Sequence, residues 1–160
     1  MIRKKILLIG DFSVGKTSLI RRYVDDAFDD SYLTTIGVKI SKKHLTIDEL
    51  ECELLIWDIE GSTPLKSIPN SYFKGASGAI FVCDVNREET VQNLNEHINT
   101  FLMLNCGAQH VIAYNKSDLL STEQKEALRI TLPGNALLTS AKENVNVETL
   151  FRLLAREMLP

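Results

Sequence analysis

Apolar and polar positions change period repeatedly along the chain. Ile6-Leu7-Leu8-Ile9 is a continuous apolar run that stops at Gly10. Such a run predicts a strand covered on both faces. Over residues 16–24, Leu19, Ile20 and Tyr23 recur at three- and four-residue spacing, which predicts a helix with one buried stripe. Ile36, Val38 and Ile40 alternate with other residues and predict a strand covered on one face. Asp48-Glu49-Leu50 reads as a turn, and Glu53 to Trp57 as a second buried strand. Ala79 to Cys83 and Val111 to Tyr114 add two more, with Ala136 to Leu138 as a further short candidate. Between them, residues 88–104 place Val91, Leu94, Ile98, Phe101 and Leu102 on one helical stripe. Residues 122–130 form a shorter helix, and the last begins near Val147 with Leu150, Phe151, Leu153 and Leu154 inward. Strands and helices alternating at this spacing predict an α/β fold: a mostly parallel sheet in a three-layer arrangement.

Composition narrows the classes. At 160 residues the chain is one domain with a core that needs no staples. Lys+Arg is 18 against 21 Asp+Glu, a balance that argues against a nucleic-acid partner while permitting a local anion site. Cys52, Cys83 and Cys106 are odd in number and form no metal spacing, so they read as small buried thiols of a reducing compartment. No apolar run approaches a membrane span, and the first residues lack a signal-peptide pattern. A cytoplasmic protein is expected.

The candidate chemistry follows the strands. Gly10-Asp11-Phe12-Ser13-Val14-Gly15-Lys16-Thr17 matches G-x-x-x-x-G-K-[ST] between a buried strand and a helix. Phosphates need many donors in a small concavity, and successive backbone N–H groups supply them when glycines let the loop wrap closely. The helix opening at Lys16 adds its free N–H groups, Lys16 reaches the β- and γ-phosphates, and the Thr17 hydroxyl can bind Mg2+. Asp58 ends the strand before Ile59-Glu60-Gly61, a usual place for a carboxylate that holds Mg2+. Gly61 can offer its N–H to a γ-phosphate. Asn115-Lys116-Ser117-Asp118 follows the strand at 111–114. The Asp118 carboxylate can accept guanine's N1–H and exocyclic amine, a donor pair that adenine lacks. Thr139-Ser140-Ala141-Lys142 follows the last short strand, and the Ala141 N–H can meet guanine O6.

The segments GDFSVGKT, TTIGV, WDIEG, NKSD and TSAK, in this order across essentially the whole chain, resemble the small GTPases of the Ras superfamily, nearest its Rab-like branch. The resemblance implies a P-loop G domain over residues 1–160, with a six-stranded mostly parallel sheet and about five helices. It implies GTP/GDP and Mg2+ as ligands. Nucleotide contacts would come from Ser13, Val14, Gly15, Lys16, Thr17, Ser18, Phe28, Tyr32, Thr35, Gly61, Asn115, Lys116, Asp118, Ser140, Ala141 and Lys142. Mg2+ would be held by Thr17 and Thr35, with Asp58 behind a water. Residues 29–38 would form the first switch, and the second would run from Asp58 towards Phe73. Lys16, Thr35 and Gly61 would act on the γ-phosphate, and hydrolysis would relax both switches. Effectors, exchange factors and activating proteins would read those switches on a monomer.

Four positions depart from the family pattern. Ser62 stands where the family's water-orienting glutamine is, Glu60 replaces a small alanine beside the γ-phosphate, and Phe12 and Ser13 stand where many members have glycine, or one small polar residue and one glycine. A serine is too short to hold the attacking water, and a carboxylate there repels phosphate. The expectation is a GTPase signalling switch with weak intrinsic hydrolysis. A non-cycling nucleotide-bound scaffold is the alternative, and a P-loop kinase or ATPase the third reading, disfavoured by NKSD and TSAK. Lys39, Lys42 and Lys43 read as a solvated strand edge, His44, His97 and His110 as surface or satisfied histidines, and Asp84 as a strand-end cap. Ile2 follows Met1 and the last residues carry no cysteine motif, so no lipid-anchor signal is visible in these 160 residues.

Overall fold

The computed structural model describes residues 1–24, 38–59 and 69–160, together with the backbone of 31–33. Strands are β1 (Ile2–Ile9), β2 (Ser31–Leu33), β3 (Lys39–Ile47), β4 (Leu50–Asp58), β5 (Gly78–Asp84), β6 (Gln109–Asn115) and β7 (Ala136–Leu138). Helices are α1 (Lys16–Val24), α2 (Asn70–Phe73), α3 (Glu88–Gln92), α4 (Leu94–Leu104), α5 (Thr122–Thr131) and α6 (Val147–Met158). They make one sheet in the order β2-β3-β4-β1-β5-β6-β7. Six of its strands are those expected, and the three-residue β2 adds a short edge. β4, β1, β5, β6 and β7 are parallel, and β3 is antiparallel to both of its neighbours.

Each element follows from local chemistry. β1 is longer than its apolar run because Arg3, Lys4 and Lys5 pair with β4 without being buried. β3 also runs well past Ile40, since Ser41 to Thr46 hide the alternation behind Lys42, Lys43 and His44. Ile36 lies outside the described residues. The β3–β4 hairpin turns on Asp48 and Glu49, both at positive φ (48° and 69°), as a two-residue turn matched to strand twist requires. The stripe predicted as one helix over 88–104 is two, α3 and α4, broken at Asn93. α5 opens with a capping box, Ser121 accepting from the Gln124 N–H while the Gln124 side chain accepts from the Ser121 N–H.

Two cores sandwich the sheet. Ile6, Leu8, Leu54, Ile56, Ile80 and Val82 pack under α1 and α6. Leu7, Ile9, Phe81 and Ala79 pack with Phe73, Leu94 and Phe101 on the other face. β1 sits where successive strands leave in opposite directions, β4 to one side and β5 to the other. Ligands bind beyond the carboxyl ends of strands at such a switch point.

Candidate nucleotide site

The loop from Gly10 to Gly15 leaves the carboxyl end of β1, and every one of its carbonyls accepts a hydrogen bond. Lys16 Nζ donates to the Gly10 and Asp11 oxygens, both at 3.0 Å. Arg87 donates to Phe12 O at 2.8 Å, Lys116 Nζ to Ser13 O at 2.8 Å, and Asn115 Nδ2 to Val14 O at 2.9 Å. Gly15 O receives the Leu19 N–H at 2.9 Å. With five carbonyls engaged by side-chain cations and an amide and the sixth by a backbone N–H, the loop's negative ends are taken up within the protein. Its N–H groups and the first turn of α1 are left to define an anion cradle. Gly15 lies at φ 104°, and a Cβ there would fall 2.3 Å from Asn115 Nδ2. The second motif glycine is therefore fixed by the third motif's asparagine. Ser13 occupies the left-handed region too (φ 66°), without being glycine.

Beside this loop is a depression of about 290 Å³ lined by Phe12, Ser13, Gly15, Lys16, Thr17, Ser18 and Lys116. Phe12 is 58% exposed. Its ring stands at the loop's rim. At the carboxyl end of β4, Asp58 is buried and accepts the Thr17 hydroxyl at 2.5 Å. A hydroxyl and a carboxylate brought together from α1 and β4 make a hard oxygen donor set of the kind Mg2+ takes.

A second depression of about 270 Å³ adjoins the first, sharing Gly15, Ser18 and Lys116, and adds Asn115, Asp118, Leu119, Ala141 and Lys142. Asn115 is its keystone. Its amide nitrogen holds the phosphate loop, and its oxygen accepts from Thr139 Oγ1 at 3.0 Å. Lys116 sits at φ 63° and pairs with Asp84 at 3.2 Å. Asp84 is thus both the strand-end cap for Asn86 N and a support for the base-side lysine. Asp118 Oδ1 accepts from Ser140 Oγ at 2.7 Å, which fixes the carboxylate's direction, and Ser140 Oγ accepts from Glu143 N. Arg22 reaches from α1 to Ala141 O (2.9 Å) and Lys142 O (3.0 Å), tying the base loop to the helix that follows the phosphate loop.

The structure therefore brings Ser13, Val14, Gly15, Lys16, Thr17, Ser18, Asp58, Asn115, Lys116, Asp118, Ser140, Ala141 and Lys142 to one end of the sheet. Phe28, Thr35, Glu60, Gly61 and Ser62 lie outside the described residues, as does the side chain of Tyr32. Four residues at the site escaped sequence reasoning: Asp11, Arg87, Asn93 and His97. Asp11 accepts from Asn93 Nδ2 at 2.7 Å, and its other oxygen lies 2.9 Å from His97 Nε2. The signal was present, since Asn93 and His97 are four apart on a helix face, but nothing in the sequence says which loop that face meets.

A glycine-bounded loop at a sheet switch point, with the Thr17–Asp58 pair and an oriented Asp118 carboxylate beside it, has the form of a P-loop nucleotide site. A family model described as the Ras family matches residues 5–160. The chain is 38% identical over 160 residues to Ras-related protein RABD1 of Arabidopsis thaliana, covering 96% of this chain and 78% of that one. It is 37% identical over 158 residues to Ras-related protein Rab-3C of Mus musculus (94% and 69%) and 35% identical over 161 residues to Ras-related protein Rab-8B of Homo sapiens (97% and 78%). The chain belongs to the Ras family, on its Rab-like side. It is a small GTPase, a switch that binds guanine nucleotide.

Proposed function

We propose that residues 1–160 form a single G domain that binds GTP and GDP with Mg2+ and hydrolyses GTP slowly unless a partner assists. The observation that carries the nucleotide half is the fully engaged carbonyl row from Gly10 to Gly15 beside Asp118, which Ser140 aims. Lys16 and the loop N–H groups take the phosphates. Asp118 accepts guanine's two donors, and the Ala141 N–H meets O6. Thr17, Thr35 and Asp58 would hold Mg2+, which when bound neutralises phosphate charge. Phe28 and Tyr32 flank the nucleotide, and Thr35 and Gly61 report the γ-phosphate to the two switches.

The hydrolytic half rests on sequence. Ser62 cannot reach an attacking water as a glutamine does, Glu60 adds negative charge near the γ-phosphate, and Phe12 crowds the approach of an activating group. A partner's finger residue supplies about 10³–10⁵ in rate in such enzymes. We place the protein in a reducing cytoplasm, in keeping with its three free cysteines, where effectors, exchange factors and activating proteins read a monomeric switch.

The test is to identify the co-purifying nucleotide and follow single-turnover hydrolysis of wild type and Ser62→Gln. Guanine nucleotide, slow turnover and an increase of about tenfold or more in Ser62→Gln are expected. Adenine nucleotide would overturn the reading of Asp118. Wild-type turnover as fast as that of Ser62→Gln would sink the slow-hydrolysis reading. Bound nucleotide with no turnover in either protein would favour a non-cycling scaffold.

A further inference from the structure

Away from the nucleotide site, a depression of about 400 Å³ opens between the end of α1, the middle of β3 and the first turns of α6. Arg22, Tyr23, Lys43, Thr46, Glu148 and Arg152 are among its lining residues. We propose that this depression binds a small phosphorylated polyanion, of the phosphomonoester class, separately from the guanine nucleotide.

Charge is the first argument. The chain is acidic overall, with a net charge of −3, yet Arg22, Lys43 and Arg152 converge here against Glu148, the one carboxylate in the lining. Among the described residues, no carboxylate forms an ion pair with any of these three cations. Alternation along β3 separates Lys43 from Lys42: Lys43 lies over the Tyr23 ring, 5.1 Å from its centre, while Lys42 faces the other side of the sheet.

Pre-organisation is the second. Arg152 donates to Thr46 O at 3.1 Å, and Arg22 spends Nε and one terminal nitrogen on the base-loop carbonyls. Each planar fork is held by a backbone oxygen with further N–H groups remaining, so little side-chain order has to be gained on binding. The Tyr23 ring stacks on Phe151 at 4.0 Å and 5°, which fixes the floor. Burial, then the Glu148 charge, push the Tyr23 hydroxyl up to about 12, so it stays a neutral O–H at working pH. Shape is the third. A half-open depression bordered by three elements, within the size range of small-molecule sites, suits a compact anion better than an extended acidic peptide.

The test uses the full chain saturated with GDP and Mg2+, so that the nucleotide site is filled. Inositol trisphosphate is titrated in while backbone amide resonances are followed, with sulfate at matched ionic strength as the control. Saturable shifts are expected at residues 22–23, 43–46 and 147–152. Lys43→Ala with Arg152→Ala should weaken binding about tenfold or more, and Glu148→Gln should tighten it a few-fold, with GDP release unchanged in both. The Glu148→Gln variant keeps all three cations and remains decisive should the double variant not fold. No saturable shift, equal binding by sulfate, unchanged affinity in the variants, or shifts confined to residues 10–17 would each overturn the proposal. Vesicles of phosphatidylcholine with and without phosphatidylinositol bisphosphate separate the two sources of this chemistry. Co-sedimentation that needs the phosphorylated lipid assigns a headgroup, whereas binding of the soluble probe alone assigns a free phosphate ester.

Discussion

Arg87 acts on the nucleotide site without lining the nucleotide cavities. Its guanidinium donates to Phe12 O, one link in the row of engaged carbonyls along the loop proposed to take the phosphates. A hydrogen bond from a charged donor contributes about 1.5–3 kcal/mol. Arg87→Ala should therefore speed GDP release about tenfold, measured with a fluorescent GDP analogue, with partial rescue by Arg87→Lys. Asp118→Ala tests the base side. Removing the acceptor should cut GDP affinity by about a hundredfold and erase the preference for GDP over ADP in competition binding. Ser140 still accepts from Glu143 N in that variant, so the loop is expected to keep its shape. The motif residues were legible because their chemistry is local and fixed in spacing. Arg87, Asn93 and His97 were not, because their partners are 75 to 86 positions away in the chain.

At the scale of elements, α6 and the two halves of the α3–α4 stripe show what pattern can and cannot say. α6 carries a clean stripe, and Val147, Leu150, Phe151 and Leu154 are buried as that stripe requires. Phe151 is fully buried against Tyr23, so Phe151→Ala should cost about 3–5 kcal/mol in chemical denaturation at fixed GDP. Periodicity could not show the break at Asn93, since Val91 and Leu94 keep the same stripe on either side of it. The cysteines divide by element as well. Cys52 and Cys83 lie within β4 and β5 and are buried, but Cys106, expected to be buried, is exposed just beyond α4. Burial pushes the Cys83 thiol up to about 12, the Asp84 charge adding to it, and burial likewise raises Cys52. Thiol titration of the native protein should give a single fast-reacting group, lost in Cys106→Ser.

Across the molecule, the sheet joins distant charges into one acid-sensitive unit. Glu53 lies between β1 and β3, with Arg3 Nε at 3.1 Å on one side and the His44 ring at 2.5 Å on the other. The His44 hydrogen bond holds the Glu53 carboxyl below its ordinary value of 4.5; burial opposes this, and the His44, Arg3 and Lys42 charges support it. A carboxylate held low in the folded state adds stability that is fully present above about pH 4.5 and fades as pH falls below it. Wild type should therefore be more stable than Glu53→Gln at neutral pH, and the two curves should converge on acid titration followed by circular dichroism. Of the three histidines, His44 and His97 meet carboxylates, whereas His110 packs edge-on to Phe81.

The sequence by itself determined the class of fold, the order of most strands and helices, and the family of nucleotide-binding switches to which the chain belongs. Strand runs, helical stripes and the motifs at 10–17, 115–118 and 139–142 are all encoded within a few neighbouring residues, where spacing alone carries the physics. Tertiary structure decided what those neighbours could not: that Gly15 must lack a side chain because Asn115 reaches it, that Arg87 and Lys116 share the loop's carbonyls, and that Lys43 turns away from Lys42 towards Arg152. Each depends on which strands lie side by side. That adjacency is fixed when the whole apolar surface is buried at once, and local patterning does not contain it.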